Sequence, residues 1–162
     1  MSIEEIPGWF DVRTADLFEH LSNWQRSKGV IGNVVEIGVF CGKSFVCLAK
    51  TNLCGELAIA IDIFDDQDKN VSKSGAGQIE NIEERFDAAV NAHIRDYHLV
   101  KKVKAASCDL SPPQLREIVG GCPIRMFRVD GGHSYSECRY DLIMASECLC
   151  QYGFVLLDAV FK

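Results

Sequence analysis

Apolar residues recur along this chain in two alternating rhythms, one helical and one of short unbroken runs. Over 14–28, Phe18, Leu21, Trp24 and Gln25 fall on one side of a 3.6-residue period, which predicts a helix started by Asp11 or Thr14 and ended at Gly29. Residues 33–37 are apolar apart from Asn33 at the start and Glu36, the pattern of a central strand covered on both faces. A turn over 38–42 leads to a helix over 44–50, and a second strand over 57–63 carries Asp62 near its end. Residues 65–77, with Asp65-Asp66-Gln67-Asp68 and Ser74-Gly75-Ala76-Gly77, show no periodicity and read as a long loop, a feature usually functional or mobile. A helix over 79–97 follows, with Ile82, Phe86, Ala89, Val90 and His93 on one side, then a strand over 103–107. Ser111-Pro112-Pro113 opens a short helix over 114–119, proline being tolerated in a first helical turn. The strand over 125–129 ends on Asp130, a turn over 131–135 follows, and a helix over 136–150 turns Leu142, Ala145 and Leu149 inward. A last strand, 154–157, ends on Asp158. Strands alternating with helices predict right-handed crossovers, a parallel sheet and a three-layer α/β domain. Its arm is residues 1–30 and its core residues 31–162.

Composition narrows the class of partner. The 162 residues suffice for one domain with a substantial core, and 48% hydrophobic with 25% charged residues is the balance of an ordinary globule. A net charge of −6 argues against nucleic acid, since a phosphate backbone requires a basic face. The one basic run, Lys101-Lys102-Val103-Lys104, reads as a solvated strand edge or loop. No stretch reaches the roughly 18 to 20 apolar residues of a membrane span. The acidic start, Met1 to Glu5, lacks the apolar core of a secretion signal, so a cytoplasmic chain is expected. The 8 cysteines then read as reduced core residues, and the Cys-x-x-Cys spacing of a zinc site is missing.

In an open parallel sheet the ligand crevice lies outside the carboxyl ends of the strands. Those ends here carry Glu36 and Gly38, Asp62, Ser107 to Asp109, Asp130, and Asp158. Any one carboxylate there has a plain explanation as a helix cap; several on one rim point to a site. The loop 38–44 invites three readings. A dinucleotide fingerprint needs a glycine where Phe40 stands. A phosphate loop needs one more residue than Gly38-Val39-Phe40-Cys41-Gly42-Lys43-Ser44 supplies, which narrows the ring of N–H groups around a phosphate. The third reading, Glu36-x-Gly38-x-x-x-Gly42 followed by Asp62, resembles the cofactor loop of class I S-adenosylmethionine-dependent methyltransferases.

Further segments carry the same resemblance: Gly8-Trp9-Phe10, Val35 through Ser44, Asp62-Ile63-Phe64-Asp65-Asp66-Gln67, and Val129-Asp130-Gly131-Gly132-His133-Ser134-Tyr135. Together they are similar to a subfamily associated with O-methylation of small molecules and sugars, over about residues 8–161. The resemblance implies a Rossmann-like methyltransferase fold, S-adenosylmethionine as cofactor and a small-molecule hydroxyl as substrate. It implies cofactor contacts from Glu36, Gly38, Gly42, Ser44, Asp62, Ser107 and Asp130. Gly38 would pass close to the methionine part, Gly42 would let the next helix start close to the sheet, and Asp62 would accept from the ribose hydroxyls.

On the catalytic side the resemblance implies Mg2+ held by Asp130 and Asp158, which would orient the hydroxyl and lower its pKa. Ala159 stands where many relatives place another carboxylate or an asparagine, and Gly132 where some carry an acidic base. His133, in the turn after Asp130, is the remaining base, imidazole titrating in the useful range; the alternative is that it only orders its turn. His20, His93 and His98 read as surface or packing residues. Trp9 either closes over the cofactor or anchors the arm. Relatives continue past the fifth strand, whereas this chain stops at Lys162. An exposed fifth-strand edge is therefore expected, covered by a second copy or another partner. The rival functions are a cofactor-binding fragment of the same fold that lacks substrate-site walls, and a phosphate-loop nucleotide hydrolase.

Overall fold

Asn33–Ile37 forms strand β1 at the middle of the sheet, and every one of its residues is buried. Successive strand residues point to opposite faces. Val34, with Ala58, Ala60 and Met126 of neighbouring strands, therefore packs into one apolar layer with Phe18, Phe45 and Phe86. Val35 and Ile37, with Ile59, Ile61, Phe127 and Val129, pack into the other with Leu115, Met144 and Ala145. The computed structural model describes residues 1–53, 55–73 and 79–158. Cys54, the Ser74-Gly75-Ala76-Gly77 part of the loop, and the residues from Ala159 to Lys162 lie outside them.

The elements alternate as expected: α1 (Ala15–Ser27), β1, α2 (Lys43–Ala49), β2 (Ala58–Asp62), α3 (Ile82–His93), β3 (Val100–Lys104), α4 (Pro112–Ile118), β4 (Ile124–Val129), α5 (Tyr135–Cys148) and β5 (Leu149–Leu157). Among the described residues all strands pair in parallel, in the order β3-β2-β1-β4-β5. Helices α1, α2 and α3 cover one face and α4 and α5 the other. No helix among the described residues is long and apolar enough to cross a membrane.

Several expectations are corrected. Helix α3 starts at Ile82 rather than 79, because Asn81 takes a left-handed turn (φ 58°) and the Asp65 carboxylate accepts from the Ile82 and Glu83 amides at 2.8 and 3.2 Å. Strand β3 begins at Val100 rather than 103, so Ser107 falls in a 3-10 turn, Ser107–Asp109, beyond the strand. Helix α5 buries Cys138, Asp141, Met144, Ala145 and Cys148, leaving Leu142 only half-buried. Strand β5 begins at Leu149, with an irregularity against β4 where Tyr152 adopts φ 65°. The basic run is indeed a strand edge: Lys102 pairs with Glu83 and Asp87, and Lys104 with Glu83 and Asp66. Cysteines 41, 47, 138 and 148 are buried free thiols, but Cys108 and Cys122 are exposed rather than core.

Candidate functional site

The carboxyl ends of β1, β2 and β4 and the turn after β3 converge on a cleft of about 500 Å3. Gly38 leaves β1 at φ 81°, and a Cβ there would stand 2.0 Å from the Asp130 carbonyl oxygen. Glycine is thus required for the first loop to lie against the end of β4. Gly42 caps α2 at φ 89°, where a Cβ would come within 3.0 Å of the Phe86 ring. The close approach at Gly42 is therefore to α3, not to the sheet as expected.

Asp62, at the end of β2, faces the cleft beside Gly38, Val39 and Phe40. One carboxylate oxygen accepts from the Phe40 amide at 2.8 Å and the other from the Phe64 amide at 2.6 Å. Both phenylalanines hold positive φ (48° and 50°), so Asp62 braces two strained turns. Burial raises the Asp62 pKa, and the backbone amides oppose the rise. The Val39 and Ile63 amides also act on this carboxylate, which still lines the cleft. Ser107 also lines the cleft, with Ala106 and Cys108.

Glu36 does not reach the cleft. It lies fully buried behind Ser44, whose hydroxyl donates to Glu36 Oε1 at 2.5 Å. The Arg128 guanidinium donates to the same oxygen at 2.5 Å, while Oε2 is buried with no hydrogen-bond partner among the described residues. Burial pushes the Glu36 carboxyl up to about 7 against the pull of Arg128. Arg128, itself buried in β4, also pairs with Asp130 at 2.9 Å and with Asp158, and Phe10 of the arm lies over it at 5.4 Å. Burial opposes the charge on Arg128, but the three carboxylates outweigh it and raise its pKa. The Asp130 pKa is raised by burial, with Arg128 opposing.

This arrangement bears on the metal expectation. Asp130 and Asp158 are brought together, but a guanidinium stands between them and takes up their charge. No group of three or more histidine, cysteine, aspartate or glutamate side chains among the described residues is arranged to hold a cation. The pair as it stands does not fit Mg2+, which is normally bound by carboxylates free to take it. His133 Nε2 lies 3.8 Å from Asp130 Oδ1, and the ring lines the cleft half exposed. Pro7, Gly8, Trp9 and Phe10 form the wall contributed by the arm, with Trp9 5.4 Å from Phe40.

Sequence reasoning missed Arg128, Glu137 and Asp141. Arg128 is signalled only as a charge inside the run Ile124–Val129. Glu137 lines the cleft from the first turn of α5. Asp141 lies on the buried face of the same helix; burial pushes its carboxyl up to about 6, and the Ser107 hydroxyl, its one hydrogen-bonding neighbour among the described residues, holds it back.

Sheet order, glycine turn and strand-end carboxylates together define a Rossmann-like α/β domain with its ligand cleft at the carboxyl edge. A family model described as a methyltransferase domain matches residues 35–160, and the chain belongs to that family. Solved structures share the fold. The O-methyltransferase TomG from Streptomyces achromogenes, in complex with SAM, is 20% identical with a TM-score of 0.61; the match covers 88% of this chain and 54% of TomG. Cofactor-bound Rv0187 from MTB is 14% identical with a TM-score of 0.64, covering 94% of this chain and 58% of that one. The O-methyltransferase NovP is 15% identical with a TM-score of 0.68, covering 91% and 64%. The chain thus spans little more than half to under two thirds of the length of these structures. No curated protein sequence matches it.

Proposed function

We propose that the cleft binds S-adenosylmethionine and transfers its methyl group to a hydroxyl of a small molecule. The observation that carries this reading is Asp62, a carboxylate at the end of β2 that lines the cleft beside the Gly38 turn, where ribose hydroxyls would meet it. Family membership and the SAM complex of TomG, a protein of the same fold, support it. Gly38 lets the backbone approach the methionine part, and Ser107 adds a polar contact on the far wall. Ser44 and Glu36 act from behind the loop by holding its helix to β1 and β4. Methyl transfer from a sulfonium is an in-line displacement, so the protein's work is orientation plus removal of the acceptor proton. Asp130 and His133 are the pair assigned to that proton, the carboxylate orienting the imidazole. Mg2+ has no part in this reading, because Arg128 already neutralises Asp130 and Asp158.

The phosphate-loop reading loses the residues it needs. Lys43 Nζ donates to the Glu4 carbonyl at 3.2 Å and Ser44 is spent on Glu36. Calorimetry with S-adenosylhomocysteine and with ATP separates the two: the first is expected to bind and ATP not. Asp62→Ala should weaken S-adenosylhomocysteine by about 1.5 to 3 kcal/mol, the scale of lost hydrogen bonds to a charged group. ATP binding without S-adenosylhomocysteine binding would sink the proposal. Turnover is measured separately, since a domain of this extent could hold cofactor while its substrate walls lie elsewhere.

A further inference from the structure

At Gly132, on the cleft wall after β4, the space of a side chain is taken by a carboxylate from another element. Its backbone lies outside the left-handed region, so any residue could adopt it. A Cβ added there would nevertheless stand 2.1 Å from Glu137 Cδ, 2.2 Å from Oε1 and 2.5 Å from Oε2. The Glu137 carboxylate therefore fills the volume that a residue-132 side chain would occupy, in the same cleft as His133 and Asp130.

Its hold is built. Ser134 caps α5, and Glu137 Oε2 accepts from the Ser134 amide at 3.2 Å and its hydroxyl at 2.5 Å, while Ser134 accepts back from the Glu137 amide. This reciprocal box fixes the side chain and leaves Oε1 outside it. The helix N-terminus favours its negative charge. A carboxylate so placed is a strong hydrogen-bond acceptor.

We infer that Glu137 is the acceptor-binding carboxylate of the cleft, selecting acceptors that carry a second donor, a vicinal hydroxyl or an ammonium, beside the methylated hydroxyl. The inference rests on the S-adenosylmethionine reading and names the substrate class of that site. The cofactor loop and Asp62 occupy the β1–β2 half of the cleft, so an acceptor meets the β4 half, where Glu137 projects.

The test is Glu137→Gln, because glutamine keeps the capping box and changes the charge. Affinities are measured for S-adenosylhomocysteine and for sinefungin, an analogue with an amine-bearing carbon in place of the methylated sulfur. The variant is expected to bind sinefungin about tenfold more weakly, a difference of about 1.4 kcal/mol. Its S-adenosylhomocysteine affinity should stay unchanged, and its melting temperature should fall only by the small amount due to the lost charge at the helix N-terminus. Gly132→Asp combined with Glu137→Ala, which moves the carboxylate to the neighbouring position, should recover sinefungin binding. With vicinal-diol acceptors the KM should rise about tenfold at constant kcat, and with isolated hydroxyls it should not move. Sinefungin affinity unchanged in Glu137→Gln, or both affinities falling together, would overturn the assignment alone. No S-adenosylhomocysteine binding by the wild-type chain would overturn the underlying reading as well.

Discussion

Arg128 is the residue on which the site's electrostatics turn. Without it, Glu36 would be a fully buried carboxylate with Ser44 as its one hydrogen-bond partner among the described residues, and Asp130 would face Asp158 across an uncompensated gap. Removing one partner of a buried ion pair strands the other charge, which costs about 3 to 5 kcal/mol. Arg128→Met is therefore expected to lose stability on that scale in denaturant titration. Chelator treatment of the wild-type chain should change neither melting temperature nor S-adenosylhomocysteine affinity, since the guanidinium supplies the positive charge. A melting temperature that drops in chelator and recovers with Mg2+ would show that the guanidinium gives way to a cation. The same residue explains why position 10 carries an aromatic ring: Phe10 covers the guanidinium on the arm side and ties the arm to the cleft.

At the scale of elements, the loop between β2 and α3 has a definite structural task. Asp65 stands 17 residues ahead of Ile82 and caps α3 through space, accepting from two amides that the helix leaves unsatisfied. Asp65→Ala should cost about 1 kcal/mol, the usual worth of a cap, read as a shift in denaturant midpoint. An unchanged midpoint would mean that solvent replaces the carboxylate. This cap also shows where the sequence was legible and where it was not. Strands β1 and β4 could be read from apolar runs, because strands covered on both faces repeat no polar alternation. Strand β3 starts ahead of its apolar signal, because as a margin strand it turns lysines to water and bonds them to α3. The carboxylates at the strand ends were legible as a rim, since parallel topology alone puts them there. What they do on that rim was not, because Arg128 lies 92 residues from Glu36 in sequence and their pairing exists only in the folded sheet. Glu137 was hidden differently: its role depends on the empty volume over Gly132, which no spacing rule encodes.

Over the whole molecule the raised buried carboxyls set the sign of the pH dependence, against a smaller opposite contribution from His93, whose pKa burial lowers. Glu36 is raised from 4.5 to about 7 and Asp141 from 3.8 to about 6, both by burial, and Asp62 and Asp130 are raised for the same reason. A carboxyl whose folded pKa exceeds its unfolded value binds its proton more tightly in the fold. Its contribution is fully present below the unfolded pKa and is lost as pH rises through the folded one. For Glu36 and Asp141 the window runs from about pH 4 to 7, with each worth on the order of 3 kcal/mol by the linkage relation. The carboxylates shifted the other way, Asp11 and Glu83, are held down by hydrogen bonds from Arg13 and from Lys102 and Lys104, and their contribution is lost only as pH falls through acid values. The chain should therefore melt at a higher temperature near pH 5.5 than near pH 7.5, opposite to a protein whose buried carboxylates are fully neutralised by partners. Asp141→Asn isolates one source, since its carboxyl has no ion-pair partner to strand; the substitution should flatten the slope between pH 5 and 7 and gain stability at the upper end. A melting temperature that rises steadily from pH 5.5 to 7.5 would show that Arg128 and the backbone amides, rather than burial, dominate these groups.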